Sequence, residues 1–219
     1  MMTSSNQRGF TLMDLLVGTS IALVVGAGTV SFVRAQSLAA RTQMAQTDMN
    51  DETRGVIDFM VRELRLAGYY PRCTAGAQWG AVNATKGIIA AGPQTIRIQY
   101  DLNENGVIDT AANSSEDVIY QYDAATSAVQ RVEGGVTNEL AGDVPATGFE
   151  LKYFGDCSAG AQIVGAGAGG ALTAAQMLSV CRVSIKLQVE KAADTRTTNE
   201  VRSDLWTNVL LRNRKDPCA

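Results

Sequence analysis

Oxygen-bearing side chains crowd into Asp101-Leu102-Asn103-Glu104-Asn105-Gly106-Val107-Ile108-Asp109, which follows the D-x-[DN]-x-[DN]-G pattern of a calcium loop. A calcium ion takes about six to eight hard oxygens. Side chains at the alternate positions Asp101, Asn103 and Asn105 converge once Gly106 permits a sharp turn, and the Val107 carbonyl adds another oxygen. Asp109 would contribute directly or through water. The twelfth loop position departs from the EF-hand pattern: it is Ala112 rather than a bidentate Glu, so Glu116 or Asp117 is expected to close the set. Asn-Gly is also a standard hairpin signal, and the flanks read as strands. The expected cofactor is therefore one weakly bound structural calcium ion, with no organic cofactor indicated.

The other reactive residues point away from catalysis. The chain of 219 residues contains no histidine, which removes Ser-His-Asp and Cys-His machinery and imidazole metal ligands. Its Ser, Lys and carboxylate residues form no constellation, and Glu116 and Asp117 would face opposite sides of a strand. No enzyme is expected. A net charge of −3 supplies no broad basic field, so no nucleic-acid partner is indicated. Gly165-Ala166-Gly167-Ala168-Gly169-Gly170 formally satisfies G-x-G-x-x-G. Only Gln162-Ile163-Val164 precede it, and Val183 to Val189 alternate as a half-exposed strand, so it reads as a surface loop. The four cysteines, Cys73, Cys157, Cys181 and Cys218, allow three pairings as two disulfides. Cys157 ends one strand-like segment and Cys181 begins another, which favours Cys157–Cys181 and leaves Cys73–Cys218.

These residues must be positioned by a chain whose apolar content is uneven. Leu15 to Val33 are 19 consecutive uncharged residues. As a helix they span roughly 28 Å, close to the hydrocarbon thickness of a bilayer. The run is longer than the apolar core of a secretory signal, and Val33-Arg34-Ala35 is a poor cleavage site. Just before it stands Arg8-Gly9-Phe10-Thr11-Leu12-Met13-Asp14-Leu15-Leu16. This closely resembles the class III signal of type IV pilins and type II secretion pseudopilins. The resemblance implies cleavage between Gly9 and Phe10 by a prepilin peptidase, and N-methylation of Phe10. It also implies an assembly role for Asp14, pairing with the Phe10 amine of a neighbouring subunit. The family's usual residue there is Glu, and Asp14 is one methylene shorter. Arg8 in the leader fits the positive-inside orientation. Gly18, Ala22 and Gly26 form a small-residue stripe suited to close helix packing.

Beyond Arg34 the pattern stays helical. Val56, Ile57, Met60, Val61 and Leu64 recur at three- and four-residue spacing, and the first proline after the run is Pro71. The helix is expected to end near Ala67 at Gly68. Alternation then marks strands around Ile96–Tyr100, Val118–Tyr122, Phe149–Tyr153, Arg182–Glu190 and within Leu205–Arg212. Arg62 to Tyr69 and Leu211-Arg212-Asn213-Arg214 also resemble the helix end and last strand of PilW-type minor pilins.

The expected fold is α+β and pilin-like, a long membrane-spanning spine helix packed on an antiparallel β head. The expected parts are a leader at 1–9, a transmembrane half-helix at 10–33, an outer half-helix at 34–68 and a head at 69–219. The resemblance implies a minor pilin or a J-type minor pseudopilin. A membrane-anchored calcium-dependent binding module that never polymerises is the alternative of another class. The implied location is the inner membrane, single-pass with a periplasmic head, then the extracellular pilus. The implied partners are prepilin peptidase, an inner-membrane assembly platform, membrane lipid and other pilins in a helical filament.

Overall fold

The computed structural model describes residues 10–71, 86–111, 114–157, 160–194 and 197–213. Helix α1 (Leu12–Leu66) opens the chain, which divides into a unit ending at Ala45 and one beginning at Gln46. The chain is thus α+β, a long N-terminal helix followed by antiparallel sheets.

In the first unit, α1 is long and apolar enough to cross a membrane, and it fits a single-pass anchor. Its apolar side chains are exposed all round, including Leu15, Ile21, Leu23, Val24 and Phe32. Four hydroxyls interrupt the run, and each donates to a carbonyl of the preceding turn. Thr19 and Ser20 bond Leu16 O at 3.1 and 2.8 Å, Thr29 bonds Val25 O at 2.7 Å and Ser31 bonds Ala27 O at 2.9 Å. These bonds leave the segment without an unpaired hydroxyl, which hydrocarbon requires.

In the second unit, α1 buries Met49, Thr53, Val56, Ile57, Met60 and Leu64, the stripe that their spacing dictates. They join one core with two sheets. The first is a five-stranded meander in sequential order: β1 (Ile88–Ala91), β2 (Thr95–Gln99), β3 (Asp117–Asp123), β4 (Ala128–Glu133) and β5 (Val136–Ala141). The second has the order β7-β6-β8-β9, from β6 (Phe149–Phe154), β7 (Gln162–Ile163), β8 (Arg182–Asp194) and β9 (Thr197–Leu210). Between β7 and β8 lie a 3-10 turn (Ala168–Gly170) and helix α2 (Ala174–Ser179). The expected strands are all present, with two sheets where one was anticipated. The last strand starts at Thr197, well before Leu205, because it pairs with β8 along nearly its whole length.

A polar seam joins the sheets. Leu151 N donates to Pro93 O at 2.7 Å, the Tyr153 hydroxyl donates to Gly92 O at 2.8 Å, and Leu172 N donates to Ala91 O at 2.8 Å. Burial pushes the Tyr153 hydroxyl well above its ordinary pKa, despite the bond to Gly92, so it stays a donor.

The helix stops where the sequence places the stop. Gly68 lies at φ +76, and its N–H reaches Gln99 O at 2.9 Å. A Cβ there would sit 2.7 Å from Lys86 O and 3.0 Å from Asn213 O. The Asn213 side chain donates to Arg65 O at 3.1 Å and Leu66 O at 3.4 Å, supplying partners to carbonyls that a helix end leaves open. Gly68→Ala combines left-handed strain of about 1–2 kcal/mol with a backbone collision. It is expected to lower the urea midpoint clearly, whereas Gly55→Ala, at an exposed helical position with open space around it, should raise it slightly.

Candidate functional site

Three groups of residues bear on function: the start of α1, a buried charge cluster under the first sheet, and the acidic loop. Gly9 and the leader lie outside the described residues, and Phe10 is almost fully exposed. Thr11 and Asp14 form a reciprocal cap. Asp14 N donates to Thr11 Oγ1 at 3.3 Å, while Asp14 Oδ2 accepts from Thr11 N at 3.1 Å and Thr11 Oγ1 at 2.8 Å. This is a capping box with Asp in place of Glu, a role legible in Thr-x-x-Asp and absent from the reading above. All the acceptor contacts fall on Oδ2, leaving Oδ1 unused among the described residues. Gly18 and Gly26 have open space where a Cβ would stand, so the helix surface there admits a close neighbour.

The charge cluster was not foreseen. Glu63, on the buried side of α1, accepts from Arg131 Nε at 3.0 Å through Oε2 and from Arg131 Nη2 at 2.7 Å through Oε1. The Tyr120 hydroxyl also donates to Glu63 Oε2, and Arg131 additionally pairs with Glu133. The Arg131 guanidinium stands 5.3 Å from the Phe59 ring centroid. Burial opposes the Arg131 charge, but its bonds to Glu63 and Glu133 outweigh that and hold its pKa above the ordinary arginine value. Burial and the Glu63 carboxylate raise the Tyr120 pKa, keeping it protonated. The hydrogen bond from Arg131 lowers the Glu133 pKa.

Truncating one partner of a buried pair leaves the other uncompensated, at about 3–5 kcal/mol. Glu63→Ala should therefore destabilise the protein by that order in urea unfolding, and Glu63→Ala/Arg131→Met should recover a large part. Because the folded Glu133 pKa is depressed, its contribution is full above the unfolded value of about 4.3 and is lost as pH falls through the lower folded one. Unfolding midpoints should decline below about pH 4.3, and less steeply in Glu133→Gln.

The acidic loop joins β2 to β3. Asp101 is fully buried; its Oδ1 accepts from Asn105 N at 3.2 Å and its Oδ2 from Gly106 N at 2.9 Å. Glu116, also buried, accepts from Leu102 N and Asn103 N through Oε1 and from Asp109 N at 2.8 Å through Oε2. The turn needs the φ of +80 at Gly106. Asn103 Nδ2 and Asn105 Nδ2 both donate to Asp109 Oδ2, at 3.0 and 3.3 Å, while Asn103 Oδ1 accepts from Asn105 N and Asn105 Oδ1 from Val107 N. Tyr69 and Tyr70, just beyond α1, brace the loop through Glu104 Oε1 and Gly106 O.

The residues singled out by spacing share one hydrogen-bonded loop, with Val107 half exposed and Ala112 outside the described residues. Among the described residues, no three His, Cys, Asp or Glu side chains meet as a metal-holding group. A calcium ion would have to draw on Asp101, Asp109, Glu116 and the asparagine oxygens. The loop closes through its own hydrogen bonds, with both oxygens of Asp101 and of Glu116 accepting backbone N–H groups.

Cys157 and Cys181 form a disulfide with Cα atoms 5.2 Å apart, joining the loop after β6 to the start of β8. Cys73 and Cys218, the other expected pair, lie outside the described residues. The Gly-rich segment inside the bridged loop leads through the 3-10 turn and α2 into an antiparallel strand, unlike a dinucleotide fold.

A long apolar α1 that fits a membrane anchor, followed by an antiparallel head, defines a pilin-like protein. The sequence profile of the family described as Prepilin peptidase-dependent protein B matches residues 42–211, and the chain belongs to that family. The profile begins after the leader and the apolar run, so the cleavage motif at Arg8 to Leu16 and the family match are independent pointers to processing by prepilin peptidase. No curated protein and no solved structure matches the chain.

Proposed function

We propose that this protein is a minor type IV pilin, a structural subunit without catalytic activity. In this reading it is cut between Gly9 and Phe10 and methylated at Phe10. It is held in the inner membrane with its head in the periplasm, and then passes through the assembly platform into a filament with other pilins. The observation that carries the reading is the start of α1. Asp14 satisfies its own helix cap through Oδ2 alone, so Oδ1 remains to receive the Phe10 amine of a neighbouring subunit. An ionised carboxylate at the edge of hydrocarbon is costly unless paired, and assembly supplies the partner. The shorter Asp14 side chain is compatible with both roles because the cap draws on the nearest turn.

Mass spectrometry of the mature chain should find N-methylated Phe10, and Asp14→Lys should be cleaved and folded yet absent from filaments. An uncleaved Met1 would favour an anchored module that never polymerises. Recovery with a secretion complex instead of a pilus would favour a minor pseudopilin.

We further propose that the Asp101–Asp109 loop takes a structural calcium ion with Glu116. Its support is the D-x-[DN]-x-[DN]-G spacing and the placement of Asp101, Asn103, Asn105, Asp109 and Glu116 in one hydrogen-bonded loop that turns at Gly106. Calcium should raise the melting temperature of wild type, and EGTA should reverse the effect. Asn103→Ala/Asp109→Ala should abolish the response; an EGTA-insensitive melting temperature throughout would refute the ion.

A further inference from the structure

Asn105-Gly106 is the one Asn-Gly pair in the sequence. Asparagine is a thermolabile residue, and a glycine after it leaves the next backbone nitrogen unshielded by a side chain. The reaction open to such a pair is internal. Gly106 N bonds to Asn105 Cγ and passes its proton through water to Nδ2; the Cγ–Nδ2 bond breaks and ammonia leaves a five-membered succinimide. Water then opens the ring at either carbonyl, giving aspartate or isoaspartate. The pair and water supply every atom, and Asn105 is exposed.

The closed loop depends on the groups that this reaction consumes. Gly106 N–H donates to Asp101 Oδ2 at 2.9 Å, and that hydrogen is absent from a succinimide. Asn105 Nδ2 donates to Asp109 Oδ2 at 3.3 Å, and that nitrogen is the one expelled. Ring closure therefore has to break both ties. Charge opposes it as well, since a nitrogen losing its proton beside the buried Asp101 carboxylate sets two negative charges together. Further bonds hold the pair in place: Asn105 N donates to Asp101 Oδ1 at 3.2 Å, Asn105 Oδ1 accepts from Val107 N at 2.7 Å, and the Tyr70 hydroxyl donates to Gly106 O.

We propose that Asn105 is a latent self-modification site, kept as asparagine by the closed loop and converted to aspartate or isoaspartate when the loop opens. The change runs one way. In aspartate, an oxygen replaces the Nδ2 donor and faces the Asp109 carboxylate with a like charge. In isoaspartate, the backbone gains a methylene, which displaces Gly106 N from Asp101. Either product closes the loop less well than asparagine, so each opening that ends in reaction is recorded in the chain. The device needs no bound ion, because its ties are hydrogen bonds within the protein.

The test uses the full mature chain in detergent micelles with EGTA present, so that its outcome is separate from that of the calcium reading. Peptide mapping by mass spectrometry follows Asn105 in mildly alkaline buffer, with and without urea. Folded wild type should convert about 10-fold or more slowly than the urea-unfolded chain, as a reaction gated by local opening requires. Tyr70→Phe and Asp109→Ala, each removing one tie, should convert faster than wild type while circular dichroism shows them folded. Asp109→Asn keeps an acceptor oxygen for Asn105 Nδ2 and should stay close to wild type. Asn105→Asp should speed hydrogen exchange at the Gly106 amide. Conversion of folded wild type at the unfolded rate would overturn the proposal. So would folded Tyr70→Phe and Asp109→Ala chains that convert as slowly as wild type, or unchanged Gly106 exchange in Asn105→Asp.

Discussion

Burying the Glu63 carboxylate is the condition on which the head is built. An unpaired carboxylate in a core costs several kcal/mol, and a bidentate guanidinium with a phenol donor is among the few arrangements that offset it. Arg131 and Tyr120 supply that arrangement from adjacent strands of the first sheet. The geometry is directional where hydrophobic contact is not. Met60 and Leu64 could be accommodated with the helix rotated by some degrees, but Glu63 is satisfied in one setting. The pair thus selects the rotation and height of α1 on the sheet, and apolar burial, about 1.5–3 kcal/mol for each large side chain, supplies the stabilisation.

From that setting the rest of the second unit follows in order. With α1 fixed, its end at Gly68 meets Gln99 on the second strand, and Tyr69 and Tyr70 come down on the acidic loop. Asn213 then closes the opposite side of the same helix end. The acidic loop is accordingly part of the helix terminus as much as part of the sheet. Two buried carboxylates, Asp101 and Glu116, organise it by accepting backbone N–H groups, a task that no apolar side chain could perform.

Much of this was legible in residue order, for physical reasons that also explain what was not. The helix, its stop and the strands with clean alternation each announce themselves within a few residues, because one face is wet and one is dry. The strand Ala128–Glu133 does not, since it buries Arg131 and breaks the alternation. The strand Val136–Ala141 is mostly exposed and carries little periodic signal. The division into two sheets depends on seam bonds such as Tyr153 to Gly92, between residues far apart in the chain. Glu63 lies between Arg62 and Leu64 like any solvated helix charge, and its partner is 68 positions away. The acidic loop was readable as a set of ligands, while the bracing by Tyr69 and Tyr70 was not, because nothing local marks those tyrosines. Cys157 and Cys181 paired as strand placement suggested.

That disulfide has a mechanical meaning. It ties β6 to β8, neighbours in one sheet, across the 24 positions that separate the two cysteines. Tension running along the chain would pass from one strand to the next through sulfur, and the intervening Gly-rich loop would carry none of it. A cut within the loop would leave the molecule covalently whole, while its Leu172, Met177 and Val180 stay packed in the core. A change confined to the loop's exposed stretch at 166–170 would alter the surface of the head while the paired strands on either side stay tied.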